Sequence, residues 1–346
     1  MVLPEPVRPT RKNATGTGSL TRLQTPSLVP ITVTVCHLPE TPGVASMSQR
    51  FVVNTLRTYL RHGPGGAQLA IRLDDHLTRR PVTATARTVD GIVFPNVTTT
   101  DIIQRYLYLF GTWEPHLTAW IRRRLAPGDI FIDVGANIGY YSLLAAHLVG
   151  PNGRVVAVEP SPHFTQALAT AAHANQLDNI RIVRAAASNT TNRITFYTPS
   201  TANLGNTTQV RPRGSATARF QAEARPLPNL TTTSELTQAR IIKIDVEGAE
   251  AAVIQGLSPA IVQLHHSVEV VIEVTPRLLA KQGLTPTDVT APLTAAGFHA
   301  YRLDNDYAAT SYPRARRRPI APRRLTTPIT DMSDIILSRA DAEALP

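Results

Sequence analysis

Three acidic segments carry the chemistry this sequence can do, and each closes an apolar run. The first is Phe131-Ile-Asp-Val-Gly-Ala-Asn-Ile-Gly139, where Asp133 stands two residues before a glycine turn. The second is Glu159-Pro160, at the end of the run 154–159. The third is Lys243-Ile-Asp-Val-Glu-Gly-Ala-Glu250, which crowds Asp245, Glu247 and Glu250 into one corner between a strand and a helix. Carboxylates so placed can hold an amino group, accept hydroxyl hydrogens or take a proton.

The glycine turn decides which ligand the first two segments suit. Gly135 and Gly139 let the backbone turn sharply and approach a ligand with no Cβ in the way. The helix expected from about residue 138 offers free N–H groups and a positive dipole end, which suit a carboxylate. A dinucleotide turn reads G-x-G-x-x-G, with a glycine where the backbone meets pyrophosphate. Here that middle position is Asn137, and Gly139 falls one residue early. A pyrophosphate is crowded by this turn and repelled by Asp133. S-adenosylmethionine carries no phosphate, and Asp133 can hold its amino group. Glu159, 26 positions after Asp133, can accept both ribose hydroxyls from the next strand end. Ala185-Ala186-Ala187 leaves room for an adenine ring, with Ser188 or Asn189 at its amino edge.

Methyl transfer from a sulfonium is an in-line displacement. Alignment can supply roughly 7–11 kcal/mol, and a base adds about 10²–10⁴-fold for an alcohol nucleophile. Lys243 and Asp245 share one face of a strand. Crowding raises the pKa of neighbouring carboxylates, so Asp245 or Glu247 is the expected base. In the competing reading, Glu247 and Glu250 only hydrogen-bond helix N–H groups. His265 and His266 are rival bases, although a histidine pair before a strand reads as surface material. No spacing demands a metal. Glu114 can reach the methionine end of the donor, or form a salt bridge with an arginine. Asn203-Leu-Gly-Asn206 reads as an acceptor loop or an ordinary Asn/Gly turn.

The elements that must position these residues alternate. Strands are expected at 130–134, 154–159, 180–186, 241–245, 268–274, 298–303 and 335–338, with helices at 138–148, 162–175, 250–256 and 286–296 between them. A further short strand at 194–198 has no assigned place. Such alternation predicts a doubly covered, mostly parallel seven-stranded sheet. Upstream, 31–38 reads as a strand and 48–62 as a helix ended by Gly63-Pro64-Gly65-Gly66. Residues 82–93 read as a hairpin around Asp90-Gly91, and 100–109 as a helix capped by Thr100 or Asp101. Another helix is expected to end at about 120–125, and 200–214 reads as a loop.

Composition sets outer bounds. The chain has 346 residues, 42% hydrophobic and 17% charged, below the usual ~25% charged, and its 28 prolines imply long irregular segments. The net charge of +10 admits nucleic acid or acidic partners, but the arginines are not interleaved with aromatics as in an RNA-binding surface. The lone Cys36 excludes an internal disulfide and a thiolate metal cluster, as fits a reducing compartment. Residues 1–20 lack the apolar core of a secretory signal, and no run approaches ~18 apolar residues. A cytoplasmic location is the expectation.

Four motifs together resemble the FkbM family of methyltransferases: Gly111-Thr-Trp-Glu114, Asp133-Val-Gly-Ala-Asn-Ile-Gly139, Glu159-Pro160 and Lys243-Ile-Asp-Val-Glu-Gly-Ala-Glu250, in order. The resemblance covers about 82–338. It departs at Pro226-Leu-Pro-Asn-Leu230, where relatives often carry an acidic residue. It implies an α/β, Rossmann-like class I methyltransferase with S-adenosylmethionine as donor. It also implies a hydroxyl on a sugar, glycolipid or secondary metabolite as acceptor. The expected donor contacts are Glu114, Asp133, Gly135, Ala136, Asn137, Gly139, Glu159, Pro160, Ser188 and Asp245. The expected organisation is a disordered 1–30, an N-terminal appendage over 31–80 and a methyltransferase domain over 81–340. A basic loop, 313–324, is expected between its last two strands.

Three other readings compete. The positive charge suggests an RNA or protein methyltransferase, but N-methylating nucleic-acid enzymes often carry Asn/Asp-Pro-Pro-Tyr/Phe where this chain has Asp245-Val-Glu-Gly. A non-catalytic binding protein is opposed by the intact donor motif. A nicotinamide oxidoreductase is opposed by Asn137.

Overall fold

β-branched runs and Ala/Leu-rich segments alternate from Ile130 onward, and the chain folds accordingly. The computed structural model describes residues 55–60, 66–198 and 218–346, all within the unit Asn54–Pro346. The expected disordered segment 1–30, the strand at 31–38 and the Asn203–Asn206 loop lie outside the described residues. So does most of the 48–62 helix, of which residues 55–60 form α1.

After α2 (Ala67–Arg79) comes the expected hairpin, β1 (Thr83–Arg87) and β2 (Val93–Thr98), turning through Gly91. α3 (Ile102–Phe110) starts where Asp101 accepts the Gln104 N–H at 3.0 Å, a side-chain cap that satisfies an orphan donor. α4 (Pro115–Arg124) follows.

The main sheet then begins with β3 (Ile130–Val134), α5 (Tyr140–Val149), β4 (Arg154–Val158), α6 (Pro162–Ala174) and β5 (Ile180–Val183). α5 starts at Tyr140, two residues later than expected, because Gly139 adopts a left-handed conformation. The chain leaves the main sheet to build a three-stranded one from β6 (Ala186–Ala187), β7 (Asn192–Thr198) and β8 (Ala218–Arg225), in the order β6-β8-β7. This sheet takes up the run at 194–198 and also Ala186, which the sequence reading gave to the third main strand. α7 (Thr233–Thr237), β9 (Ala239–Ile244), α8 (Glu250–Leu257), β10 (Glu269–Val274), α9 (Pro276–Ala280) and α10 (Pro286–Ala295) restore the alternation. β11 (His299–Leu303), α11 (Tyr312–Arg317), β12 (Arg323–Arg324) and β13 (Ser333–Ser338) close the fold.

The main sheet has the order β12-β11-β13-β10-β9-β3-β4-β5. β3, β4, β5, β9 and β10 run parallel, and β13 is antiparallel to both β10 and β11. All seven expected strands are present, and β12 adds a short eighth at the edge. The basic stretch 313–324 is therefore not a loop. It carries α11, whose Tyr312, Pro313 and Ala315 are buried, and then β12. One face of the sheet is apolar: Ile132, Val134, Ile242, Ile244, Val270 and Ile272 pack with Val253 and Leu257 of α8 and Leu293 of α10. A strand buried on both faces reads as a near-continuous apolar run, and β10 meets that except at Glu269 and Glu273.

Candidate active site

The carboxyl ends of β3, β4, β9 and β10 form one rim, and the acidic residues gather along it. Asp133 on β3 is the register partner of Lys243 on β9, which is in turn the partner of Val271 on β10. Side chains alternate along strands, so Asp245 shares the face of Lys243, and Glu273 shares the face of Val271. Across β13, Asp334 is the register partner of Glu273. A polar row thus crosses the sheet on the face opposite the aliphatic core.

One buried ammonium holds this row together. Lys243 is 3% exposed; its Nζ donates to Asp245 Oδ2 at 2.8 Å and lies 4.9 Å from the ring centre of Tyr141. Burial works against its charge, but Asp245, Asp133 and Glu114 outweigh that and raise its pKa. The buried Asp133 accepts a hydrogen bond from Ser142 Oγ at 2.6 Å. Burial raises its pKa, and Lys243 pulls it back. Glu114 caps α4 with φ 37°, a backbone conformation that non-glycine residues seldom adopt. It accepts the hydroxyls of Tyr141 at 2.5 Å and Tyr307 at 2.7 Å. Tyrosines, rather than the arginine weighed from the sequence, hold it in place.

Glu159, at the tip of β4, grips the glycine turn. It accepts the Asn137 N–H and the Ser161 N–H, each at 2.9 Å. Burial lifts its pKa to about 7 against the pull of these two donors. Asn137 has φ 52°, and its Oδ1 accepts the Ile138 N–H at 2.7 Å. Ala136 and Gly139 are buried, and Pro160 is partly exposed. The reason for the glycines differs from the one the sequence suggested. A Cβ at Gly135 would lie 1.8 Å from the backbone oxygen of Asp245, and one at Gly139 would lie 2.5 Å from Leu168. Their lack of a side chain is required by the packing of the protein itself.

The third segment turns through Glu247 (φ 53°) and Gly248 (φ 100°) into α8. Glu250 accepts the Gly248 N–H at 2.9 Å through Oε1, as expected of a carboxylate at a helix start, while its buried Oε2 has no hydrogen-bond partner. Burial pushes Glu250 up to about 7. Glu247 is half-buried, and burial with the charges of Asp245 and Glu250 pushes it up to about 8.

The structure brings Glu114, Asp133, Asp245, Glu247 and Glu250 to one rim, with Glu159 and the turn beside them. Ser188 belongs to the end of β6 in the second sheet, where its N–H bonds the Arg225 carbonyl at 2.9 Å; the main-sheet strand β5 ends earlier, at Val183. His265 and His266 precede the amino end of β10, away from the carboxylate rim, and His265 Nδ1 meets Ser267 Oγ at 2.7 Å. Sequence reasoning missed Tyr141, Tyr307, Glu273 and Asp334. Glu273, lodged in the run Val270-Val-Ile-Glu-Val274, was the available signal. Burial raises Glu273 well above the usual range, and Asp245 and Glu114 add to it. Burial does the same for Asp334. Among the described residues, no trio of His, Cys, Asp or Glu is arranged to hold a metal ion.

This donor set fits a cation. Asp133, Asp245, Glu114 and Asp334 share a single lysine, and S-adenosylmethionine carries a sulfonium and an ammonium. The model of the methyltransferase FkbM domain matches residues 133–300. The methyltransferase FkbM of Methylobacillus flagellatus KT is 16% identical, covering 85% of this chain and 71% of that one, with a TM-score of 0.36. A precorrin-6y C5,15-methyltransferase of Geobacter metallireducens GS-15 is 14% identical, covering 65% and 87%, with a TM-score of 0.36. Aeropyrum pernix fibrillarin, solved with natively bound S-adenosyl-L-methionine, is 12% identical, covering 65% and 76%, with a TM-score of 0.34. No curated protein sequence matches the chain. Residues 133–300 match the model of a methyltransferase FkbM domain, and the chain is an S-adenosylmethionine-dependent methyltransferase.

Proposed function

We propose that this enzyme O-methylates a hydroxyl of a sugar, glycolipid or secondary metabolite, with Glu247 taking the hydroxyl proton. The observation that carries this reading is the contrast between two neighbouring carboxylates. Asp245 is tied through Oδ2 to the Lys243 ammonium at 2.8 Å, so that oxygen is already engaged. Glu247 sits beside Asp245 and Glu250, with its pKa near 8. A carboxylate poised near neutral pH is the better general base. An alcohol needs such help more than a thiolate or a neutral amine does.

When bound, S-adenosylmethionine supplies a methyl group made electrophilic by the sulfonium. In this reading Asp133 and Glu114 bind the methionine end, and Glu159 binds the ribose. The backbone from Gly135 through Ala136 and Asn137 to Gly139, with Pro160 and Ser188, shapes the surrounding wall. Lys243 fixes Asp245 and limits repulsion among the acids.

The test is incubation with methyl-labelled donor and fractionated sugar, lipid and RNA extracts. Label in a sugar or lipid fraction, as an alkali-stable ether, supports the reading. Label transferred to RNA alone contradicts it.

A further inference from the structure

The arginine-rich stretch after α11 has no part in the donor site, yet it builds a cavity. A space of about 360 Å³ opens at the β11–β12 edge of the sheet, lined among others by Arg302, Asp304, Ile320, Arg323, Thr326 and Thr327. Arg302 and Arg323 are direct register partners in the antiparallel β11–β12 pair. Residues directly opposite in such a pair project from the same face with Cβ atoms about 4.5–5.5 Å apart, and like charges there are destabilising. Arg302 has one carboxylate, Asp304, whose Oδ1 accepts its Nε–H at 2.5 Å and whose side chain is 62% exposed. Arg323 is exposed and has no acidic partner among the described residues. By contrast, the neighbouring Arg324 is satisfied: its guanidinium reaches Asp341 at 2.7 Å, His299 at 2.8 Å and the Tyr301 hydroxyl at 3.2 Å.

Two guanidiniums side by side, with one exposed carboxylate between them and a cavity beside them, suit an anion. We infer that this cavity binds the phosphate group of a small phosphorylated molecule. Arg302 and Arg323 would supply forked N–H donors, which match phosphate oxygens, and the Thr326 and Thr327 hydroxyls offer further donors. Ile320 and Leu325 give the remainder of the molecule an apolar wall. The cavity holds a phosphorylated monosaccharide but is far too small for a folded nucleic acid. It is distinct from the donor rim: β11 lies three strands from β9, or roughly 14 Å at the usual strand spacing. The inference does not depend on the acceptor proposed above.

The test is calorimetric titration of the full chain with inorganic phosphate, glucose 6-phosphate and glucose. The wild type is expected to bind both phosphate compounds and not glucose. Arg323→Gln, at an exposed position, is expected to weaken that binding at least about tenfold, as loss of a charge-assisted contact implies. Arg302→Gln is expected to do the same, with circular dichroism confirming the fold. Arg314→Gln, on the exposed side of α11, is expected to leave it unchanged. Absence of phosphate binding overturns the inference. So does equal weakening by all three variants, which would mark diffuse charge attraction. Binding of an RNA oligonucleotide but not of glucose 6-phosphate overturns it as well.

Discussion

Lys243 Nζ and Asp245 Oδ2 stand 2.8 Å apart at the head of β9, with the lysine almost wholly buried. The same ammonium faces Asp133 and Glu114. It is the counter-charge on which the acidic row of the rim depends.

Lys243→Met should therefore destabilise the protein strongly. Removing one partner of a buried ion pair typically costs about 3–5 kcal/mol, because the remaining charges stay buried. Urea unfolding checks this, and the midpoint should fall well below wild type. An unchanged midpoint would mean that the carboxylates are neutral without the lysine.

Gly135→Ala is expected to damage the turn for a reason internal to the protein. The residue has φ +86°, and its new Cβ would meet the Asp245 carbonyl oxygen at 1.8 Å. The backbone conformation alone costs on the order of 1–3 kcal/mol for a side-chain-bearing residue. The thermal midpoint of the donor-free protein should drop, whatever ligand is added. A variant with normal stability that fails only in donor binding would show that the glycine serves the ligand instead.

Burial raises Glu159 and Glu250 to about 7, above the ~4.3 of a free glutamate. Between about pH 4 and 7 the folded chain keeps protons that the unfolded chain has released. The contribution of these groups to donor-free stability is thus present at low pH and is lost as pH rises through that window. A cationic donor favours the ionised carboxylates, so its binding should release protons. Calorimetry in two buffers of different ionisation heat should show that release near pH 6.5, with affinity rising from pH 6 to 8. Affinity independent of pH, with no proton release, would contradict the raised values.

Much of this was legible in the sequence, and the limits have physical causes. The parallel strands were readable because each is a short β-branched run followed by a helical pattern. The convergence of Asp133, Glu159 and the Asp245–Glu250 corner was readable because each closes an apolar strand run at a turn. Tyr307 was not, since it lies in an irregular segment and reaches Glu114 across 193 positions. The basic loop expected at 313–324 is instead partly helical because charge was read without periodicity: α11 buries Tyr312, Pro313 and Ala315 between its arginines. Arg122 and Arg124, two positions apart in the sequence, pair separately with Asp90 and Glu269, partners that adjacency does not reveal. The glycines were located correctly but explained incompletely, because the Asp245 carbonyl arrives from a strand more than a hundred positions away.

Glu247→Gln is expected to lower kcat by about 10²–10⁴-fold with donor affinity nearly unchanged, once an acceptor is in hand. The wild-type rate should rise with pH through about 8, and the variant should lose that limb. Rates and pH profiles of the two proteins, compared on one acceptor, decide the matter. A variant retaining the full rate would return the role to Asp245 or to alignment alone.

The claim that buried carboxylates at the tips of β3 and β4 hold the methyl donor is tested most directly by titrating S-adenosylmethionine into the wild type, Asp133→Asn and Glu159→Gln, each checked for an intact fold. The account predicts clear binding by the wild type and at least about tenfold weaker binding by each variant, the size expected for one charge-assisted contact. Equal affinity in all three, or no binding by the wild type, would contradict it.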